Sequence, residues 1–211
     1  MILSGLNKEQ REAVESTEGY VRVLASAGSG KTRALTYRYV YLVNELGIST
    51  ENIACITFTN KAAGEMKKRI RSMIGDHDTG YICTFHGMGV KVLREEIFRL
   101  GWPSKFRILD EEDQESLLKR VYKTLGITKS DITFKDAKRG VSLKKILSLM
   151  SSHYSIMLQK DSADPIITQS KKDIEEAIFI EYLKEQKKEF CLDFDDLVCI
   201  PMFIFWRNED V

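Results

Sequence analysis

An α/β fold organised on a phosphate-binding loop is predicted by three features of this 211-residue sequence. Short apolar, β-prone runs alternate with helical periodicity in the first half of the chain. A Gly/Ser-rich loop joins the first of those runs to the first long helical pattern. From Asp110 onward only helical patterns follow, which predicts a mostly helical second region.

Asn7 is a good N-cap for the first helix, and Gln10 stands three residues on, as in a capping box. Ala13 and Val14 begin its apolar face, and Gly19 ends the segment. Val21 to Leu24 is predicted as a strand. The loop that follows is Ala25, Ser26, Ala27, Gly28, Ser29, Gly30, Lys31 and Thr32, which fits the P-loop pattern G-x-x-x-x-G-K-S/T except for Ala25 at its first position. Gly28 and Gly30 let the backbone turn tightly enough to aim successive N–H groups at phosphate oxygens. The next helix offers its free N–H groups and positive dipole end to the same anion. Lys31 can reach the β- and γ-phosphates, and the Thr32 hydroxyl suits a Mg²⁺ ligand.

Leu35, Tyr39, Leu42, Val43 and Leu46 recur at helical spacing, with Gly47 as the stop. Ile53 to Phe58 reads as a buried parallel strand, and a helix with Ala62, Met66, Ile70 and Ile74 on one stripe comes after it. The opposite face carries Lys67, Lys68, Arg69 and Arg71 against Glu65; on charge alone it is either a solvated face or a nucleic-acid contact. The loop Thr57, Phe58, Thr59, Asn60, Lys61 favours the second reading, because ligands of open α/β sheets sit at the carboxyl ends of strands. Tyr81 to Phe85 repeats the device and is followed by His86, which reads equally as a contact residue or a satisfied polar group at a strand end. A helix through Val90, Val92, Leu93 and Ile97 and a fourth strand, Phe106 to Leu109, complete the alternating part.

In the helical part, Asp110 caps a helix whose stripe is Leu117, Leu118, Val121, Tyr122 and Leu125, and Gly126 stops it. Lys135, Lys138, Arg139, Lys144 and Lys145 form a second basic cluster. Ser170 to Asp173 is a capping box for a helix through Ile174, Ile178 and Tyr182. Asp195 and Asp196 precede the apolar run Leu197 to Trp206; they suit the cap of the next helix, with Mg²⁺ binding or acid–base work as the other reading.

Charge balance is even, 32 Lys and Arg against 31 Asp and Glu, so partners must be read from local patches. Four cysteines without metal spacing point to a reduced, cytoplasmic chain without structural zinc. The N-terminus lacks a signal peptide's basic start and apolar core, and the longest apolar run is too short to span a bilayer and contains Pro201. No membrane role is expected.

These residues together resemble the N-terminal part of UvrD/Rep-like superfamily 1 DNA helicases. Leu6, Asn7, Gln10, Ala13 and Val14 look like the family's Q motif, whose glutamine reads the adenine edge. Ala27 to Arg33 looks like its P-loop, with Arg33 beside the base. Ile56 to Ala63 resembles the first single-strand contact motif; Thr84, Phe85 and His86 resemble the second, with Gly87 where serine is expected. Leu192 to Leu197 matches the point at which an inserted helical subdomain rejoins the first RecA-like domain. Met150 to Tyr154 departs from the family, which usually has a lysine near a Lys-Asn pair there.

The resemblance implies a P-loop NTPase (RecA-like) parallel sheet with a mostly helical inserted subdomain. Residues 1–108 form the first part of the RecA-like domain, 109–190 the helical insertion and 191–211 the return to the parent domain. It further implies ATP and Mg²⁺ as cofactors, single-stranded and duplex DNA as partners, and 3′ to 5′ unwinding in repair or replication. Lys31 and Thr32 are the implied catalytic residues, Thr32 the metal ligand, and Gln10, Arg33 and residues 25–32 the nucleotide-binding set. Phe58, Asn60, Lys61, Phe85 and His86 are the implied strand contacts. The family's acidic Asp-Glu-x-Gln-Asp motif and second RecA-like domain are not in this sequence, which is about a third of a family member. The expectation is therefore that the chain does not hydrolyse ATP usefully alone. A helicase–nuclease shares these motifs, and a short protein binding nucleotide or single strands without turnover is the non-enzymatic alternative.

Overall fold

The computed structural model describes residues 2–75, 79–150 and 171–208. They pack as two compact units, Met1–Met88 and Gly89–Val211, with the boundary inside a helix.

The first unit contains α1 (Lys8–Glu15), α2 (Lys31–Asn44), β1 (Ala54–Thr57), α3 (Asn60–Ile74), β2 (Tyr81–Thr84) and the start of α4 (Phe85–Glu96). β1 and β2 pair in parallel, Ala54 opposite Tyr81 and Thr57 opposite Thr84, with α3 as the crossover helix that a parallel pair requires. α2 and α3 pack together over a core of Tyr39, Ile53, Cys55, Met66, Ile70 and Ile82. The Tyr39 hydroxyl donates to the Thr79 carbonyl at 2.9 Å, which satisfies the one polar atom that ring brings inside. The stripe predicted for α3 is met at Met66 and Ile70, with Ala63 rather than Ala62 facing the core.

Val21 to Leu24, predicted as a strand, is not one. No strand among the described residues pairs with it, and Val21, Val23 and Leu24 are exposed. An apolar β-prone run states which side chains want burial, but a strand exists only where a neighbour accepts its backbone hydrogen bonds. Phe106 to Leu109 contracts to a two-residue strand for the same reason.

That strand, β3 (Arg107–Ile108), belongs to the second unit with α5 (Glu111–Leu125), α6 (Phe134–Met150), α7 (Lys171–Glu189), β4 (Cys191–Leu192) and α8 (Asp196–Arg207). β3 and β4 pair in parallel, extended by the Leu109 amide donating to the Leu192 carbonyl at 2.8 Å. α5 begins in a complete capping box between Asp110 and Asp113 and ends at Gly126, whose φ of 65° is left-handed. Its apolar face meets α7 through Leu117, Leu118, Val121, Ile178 and Tyr182. A second core gathers Leu93, Ile97, Trp102 and Phe106 with Leu197, Ile200, Phe203 and Ile204 of α8. Of the stretch Met150 to Tyr154 all but Met150 lies outside the described residues, as does the capping Ser170. All four cysteines are free. No helix among the described residues is long and apolar enough to cross a membrane.

Candidate nucleotide and nucleic-acid site

The loop before α2 turns on two left-handed glycines, Gly28 at φ 78° and Gly30 at φ 84°. The Ser29 hydroxyl donates to the Ser26 carbonyl at 2.8 Å and closes the turn. Gly30 is the N-cap of α2 and has no side chain with which to cap it. The first N–H groups of the helix, on Lys31, Thr32 and Arg33, therefore have no intrahelical acceptor, and the dipole's positive end adds to their pull on an anion. Lys31 Nζ donates to the carbonyls of Ala25 at 3.0 Å and Ser26 at 2.6 Å, so the ammonium lies across its own loop. Residues 25–29 and 31–33 are exposed. The Arg33 guanidinium stands 5.5 Å from the centre of the Tyr37 ring and beside Gly5.

Gln10 does two things at once. Its amide nitrogen donates to Asn7 Oδ1 at 2.8 Å and its Oε1 accepts from the Asn7 amide at 3.2 Å, the reciprocal cap read from the sequence. Its Nε2 also donates to the Ser29 carbonyl at 3.0 Å, which sets this side chain against the loop. Local spacing shows the first role; the second joins positions 19 residues apart, and the capping pattern carries no sign of it.

β1 and β2 end side by side, and each turns into a helix through a threonine. Thr59 Oγ1 accepts from the Ala62 amide at 3.1 Å, and Thr84 Oγ1 accepts from the Gly87 amide at 3.1 Å. The two turns bring Phe58 and Phe85 together, ring centres 6.4 Å apart and planes at 57°. Both rings are exposed, Phe58 at 93% and Phe85 at 57%. Asn60 and Lys61 open α3, His86 opens α4, and all three face solvent. Lys68, Arg69 and Arg71 are exposed on α3, and Lys67 is half-buried. At Gly87 a Cβ would stand 3.2 Å from Cys83 Cβ and 3.4 Å from Thr84 Oγ1, so the expected serine would press on Cys83 rather than on the cap.

In the second unit Lys145 corrects the basic cluster. Its ammonium is wholly buried, 2.6 Å from Asp193 Oδ2 and 2.8 Å from Asp196 Oδ1. Tyr182 donates to Asp193 and Gln186 to Asp196, so both carboxylates are further satisfied. Asp193 and Asp196 cap each other's amides at the start of α8, at 2.9 and 3.1 Å. Asp195, the other capping candidate, makes no cap bond and accepts from the Ser142 hydroxyl instead. Burial and the Asp193 charge push Asp196 up to about 7, against the pull of Lys145. Burial alone would raise Asp193 too, but the Lys145 ammonium holds it below the usual carboxylate range. Among the described residues no group of three or more His, Cys, Asp or Glu is arranged to hold a metal.

Comparison with known proteins agrees with these features. The UvrD/REP helicase N-terminal domain family matches residues 6–211. An ATP-dependent DNA helicase PcrA of Bacillus subtilis is 38% identical over 211 residues, all of this chain and 27% of that protein. PcrA of Staphylococcus aureus strain Mu50 is 35% identical over 211 residues, all of this chain and 28% of its own length. PcrA of Staphylococcus epidermidis is 35% identical over 207 residues, covering 98% of this chain and 27% of the relative. The chain spans little more than a quarter of the length of these relatives.

Proposed function

The chain belongs to the UvrD/REP helicase N-terminal domain family, and from that premise we propose that it is the nucleotide- and strand-binding part of a cytoplasmic, ATP-dependent DNA helicase serving repair or replication. In this reading residues 1–108 and 191–211 belong to a RecA-like P-loop domain and 109–190 to its helical insertion. The observation that carries it is the glycine loop, whose uncapped α2 amides and lysine ammonium offer positive charge to one anion. A triphosphate would take the place of the Ala25 and Ser26 carbonyls at Lys31 Nζ and accept from the amides of residues 28–33. Thr32 would hold Mg²⁺, which supplies charge neutralisation between the phosphates. Gln10 keeps one Nε2 hydrogen and one Oε1 lone pair, the donor and acceptor that match N7 and N6–H of adenine. Arg33 would lie beside the base. Phe58 and Phe85 would stack on bases of a single strand, with Asn60, Lys61 and His86 as polar contacts. Hydrolysis and unwinding are proposed for the whole protein, since these residues account for binding only.

Calorimetric titration with Mg·ATP tests the reading. Lys31→Ala removes a charge-assisted contact and should weaken binding by about 1.5–3 kcal/mol. A folded variant with undiminished affinity would take Lys31 out of the site.

A further inference from the structure

We propose that Arg38 is a positioning residue for the nucleotide: it grips the C-terminal end of α1 and so holds Gln10 against the loop. The proposal rests on the reading of Gln10 as the base contact. α1 has only eight residues, and Val14 is its one buried side chain. A helix so short is marginal in water and takes its place from tertiary ties. Its last carbonyls have no intrahelical donors. Arg38 Nη1 meets two acceptors at this end, donating to the carbonyl of Ala13 in the last turn at 2.7 Å and to that of the C-cap Ser16 at 2.6 Å. The guanidinium charge also sits at the negative end of the α1 dipole.

Arg38 lies on α2, about two turns beyond Lys31, the helix whose first turn forms the floor of the loop. α1 is therefore fastened to the P-loop segment twice. Gln10 meets Ser29 near the helix start, and Arg38 holds the helix end on either side of the buried Val14. Without the second tie, α1 can swing on Val14 and carry the Gln10 carboxamide away from the Ser29 carbonyl. Arg38 touches neither Gln10 nor the loop carbonyls in this arrangement, so it would act through α1.

Three probes separate this role from a general loss of stability: ATP, GTP and inorganic tripolyphosphate. Guanine presents an acceptor where adenine presents N6–H, so the ATP-over-GTP preference reports where Gln10 stands, and tripolyphosphate reports the loop alone. Arg38→Met should lower ATP affinity about three- to tenfold, the worth of one or two neutral hydrogen bonds. It should abolish the preference for ATP, leave tripolyphosphate binding unchanged, and add nothing in a Gln10→Ala background. Arg38→Lys, which keeps the charge but not the planar fork, should restore part of the preference and serves in its place if Arg38→Met does not fold. Retained preference, or parallel loss of ATP and tripolyphosphate binding, overturns the proposal. If the unsubstituted chain shows no preference, the reading of Gln10 fails on its own, and hydrogen exchange without nucleotide decides the clamp. Faster exchange at the α1 amides in Arg38→Met or Arg38→Lys, with α3 unchanged, supports it, and unchanged α1 exchange overturns it.

Discussion

Gly89 lies against the backbone carbonyl of Leu197, so closely that a Cβ at Gly89 would stand 1.7 Å from the oxygen. Pro201, four residues on in α8, has no N–H to give that carbonyl, so the place where the helix lacks its own donor is the place where α4 comes backbone to backbone with it. Leu93, Ile97, Ile200 and Ile204 close the core around the contact. A methyl group can enter only by moving one helix. Gly89→Ala should therefore destabilise by about 3 kcal/mol or more in urea unfolding, at the upper end for overpacking. Gly140, within α6, has nothing within 4 Å of a Cβ, and Gly140→Ala should stabilise by about 0.5–1 kcal/mol through helix propensity. A Gly89→Ala cost below about 1 kcal/mol would refute the account of the contact.

Lys145→Met leaves Asp193 and Asp196 buried without their cation, a loss of about 3–5 kcal/mol when one partner of a buried pair is removed. The pH dependence carries a sign. Asp196 has a higher pKa folded than unfolded, so the stability it contributes is full in acid and is lost as pH rises through about 7. Removing the ammonium raises Asp196 further and releases Asp193 from the charge that holds it down. The variant's deficit should thus widen between about pH 5 and about pH 8, followed by denaturant titration at each pH. A deficit that narrows with rising pH would mean that Lys145 does not neutralise these carboxylates.

What the sequence made legible was local. The Asp110 cap, the Gly126 stop and the turn at Gly28 and Gly30 each depend on residues a few positions apart, and each formed as expected. The two strand-end aromatics were legible because Thr57, Phe58 and Thr59 repeat in kind as Thr84 and Phe85. Val21 to Leu24 was misread because a strand's partner is nonlocal. Lys145 was misread because a run of basic residues on a helix does not tell which one faces two aspartates about 50 positions away. Gly89 and Arg38 gave no sign at all: one is defined by a distant carbonyl and the other by the end of a different helix.

Phe58 and Phe85 should carry single-strand affinity. Each alanine substitution should cost about 1–3 kcal/mol with little dependence on base, and affinity should fall with salt. Fluorescence anisotropy with a labelled oligonucleotide is the measurement. If both variants bind as the unsubstituted chain does, the exposed ring pair is not a stacking platform and the charged face of α3 is only solvated.

Gly28 and Gly30 share a left-handed backbone but differ in what surrounds them, and this separates backbone strain from the Gln10 contact. At Gly28 a Cβ meets nothing within 4 Å, so Gly28→Ala should cost only the left-handed strain, about 1–2 kcal/mol. At Gly30 a Cβ would stand 2.5 Å from Gln10 Nε2. The carboxamide is the free end of a flexible side chain and can move, but moving breaks its bond to the Ser29 carbonyl and takes it from the place assigned to the base. Gly30→Ala should therefore cost at least that strain in unfolding and show a further loss in ATP affinity of about 0.5–1.5 kcal/mol, the net worth of a neutral hydrogen bond. In a Gln10→Ala background that further loss has nothing left to remove, so Gly28→Ala and Gly30→Ala should become alike in ATP binding. If the two stay different without the glutamine, Gly30 matters for the approach of phosphate to the α2 amides and not for Gln10.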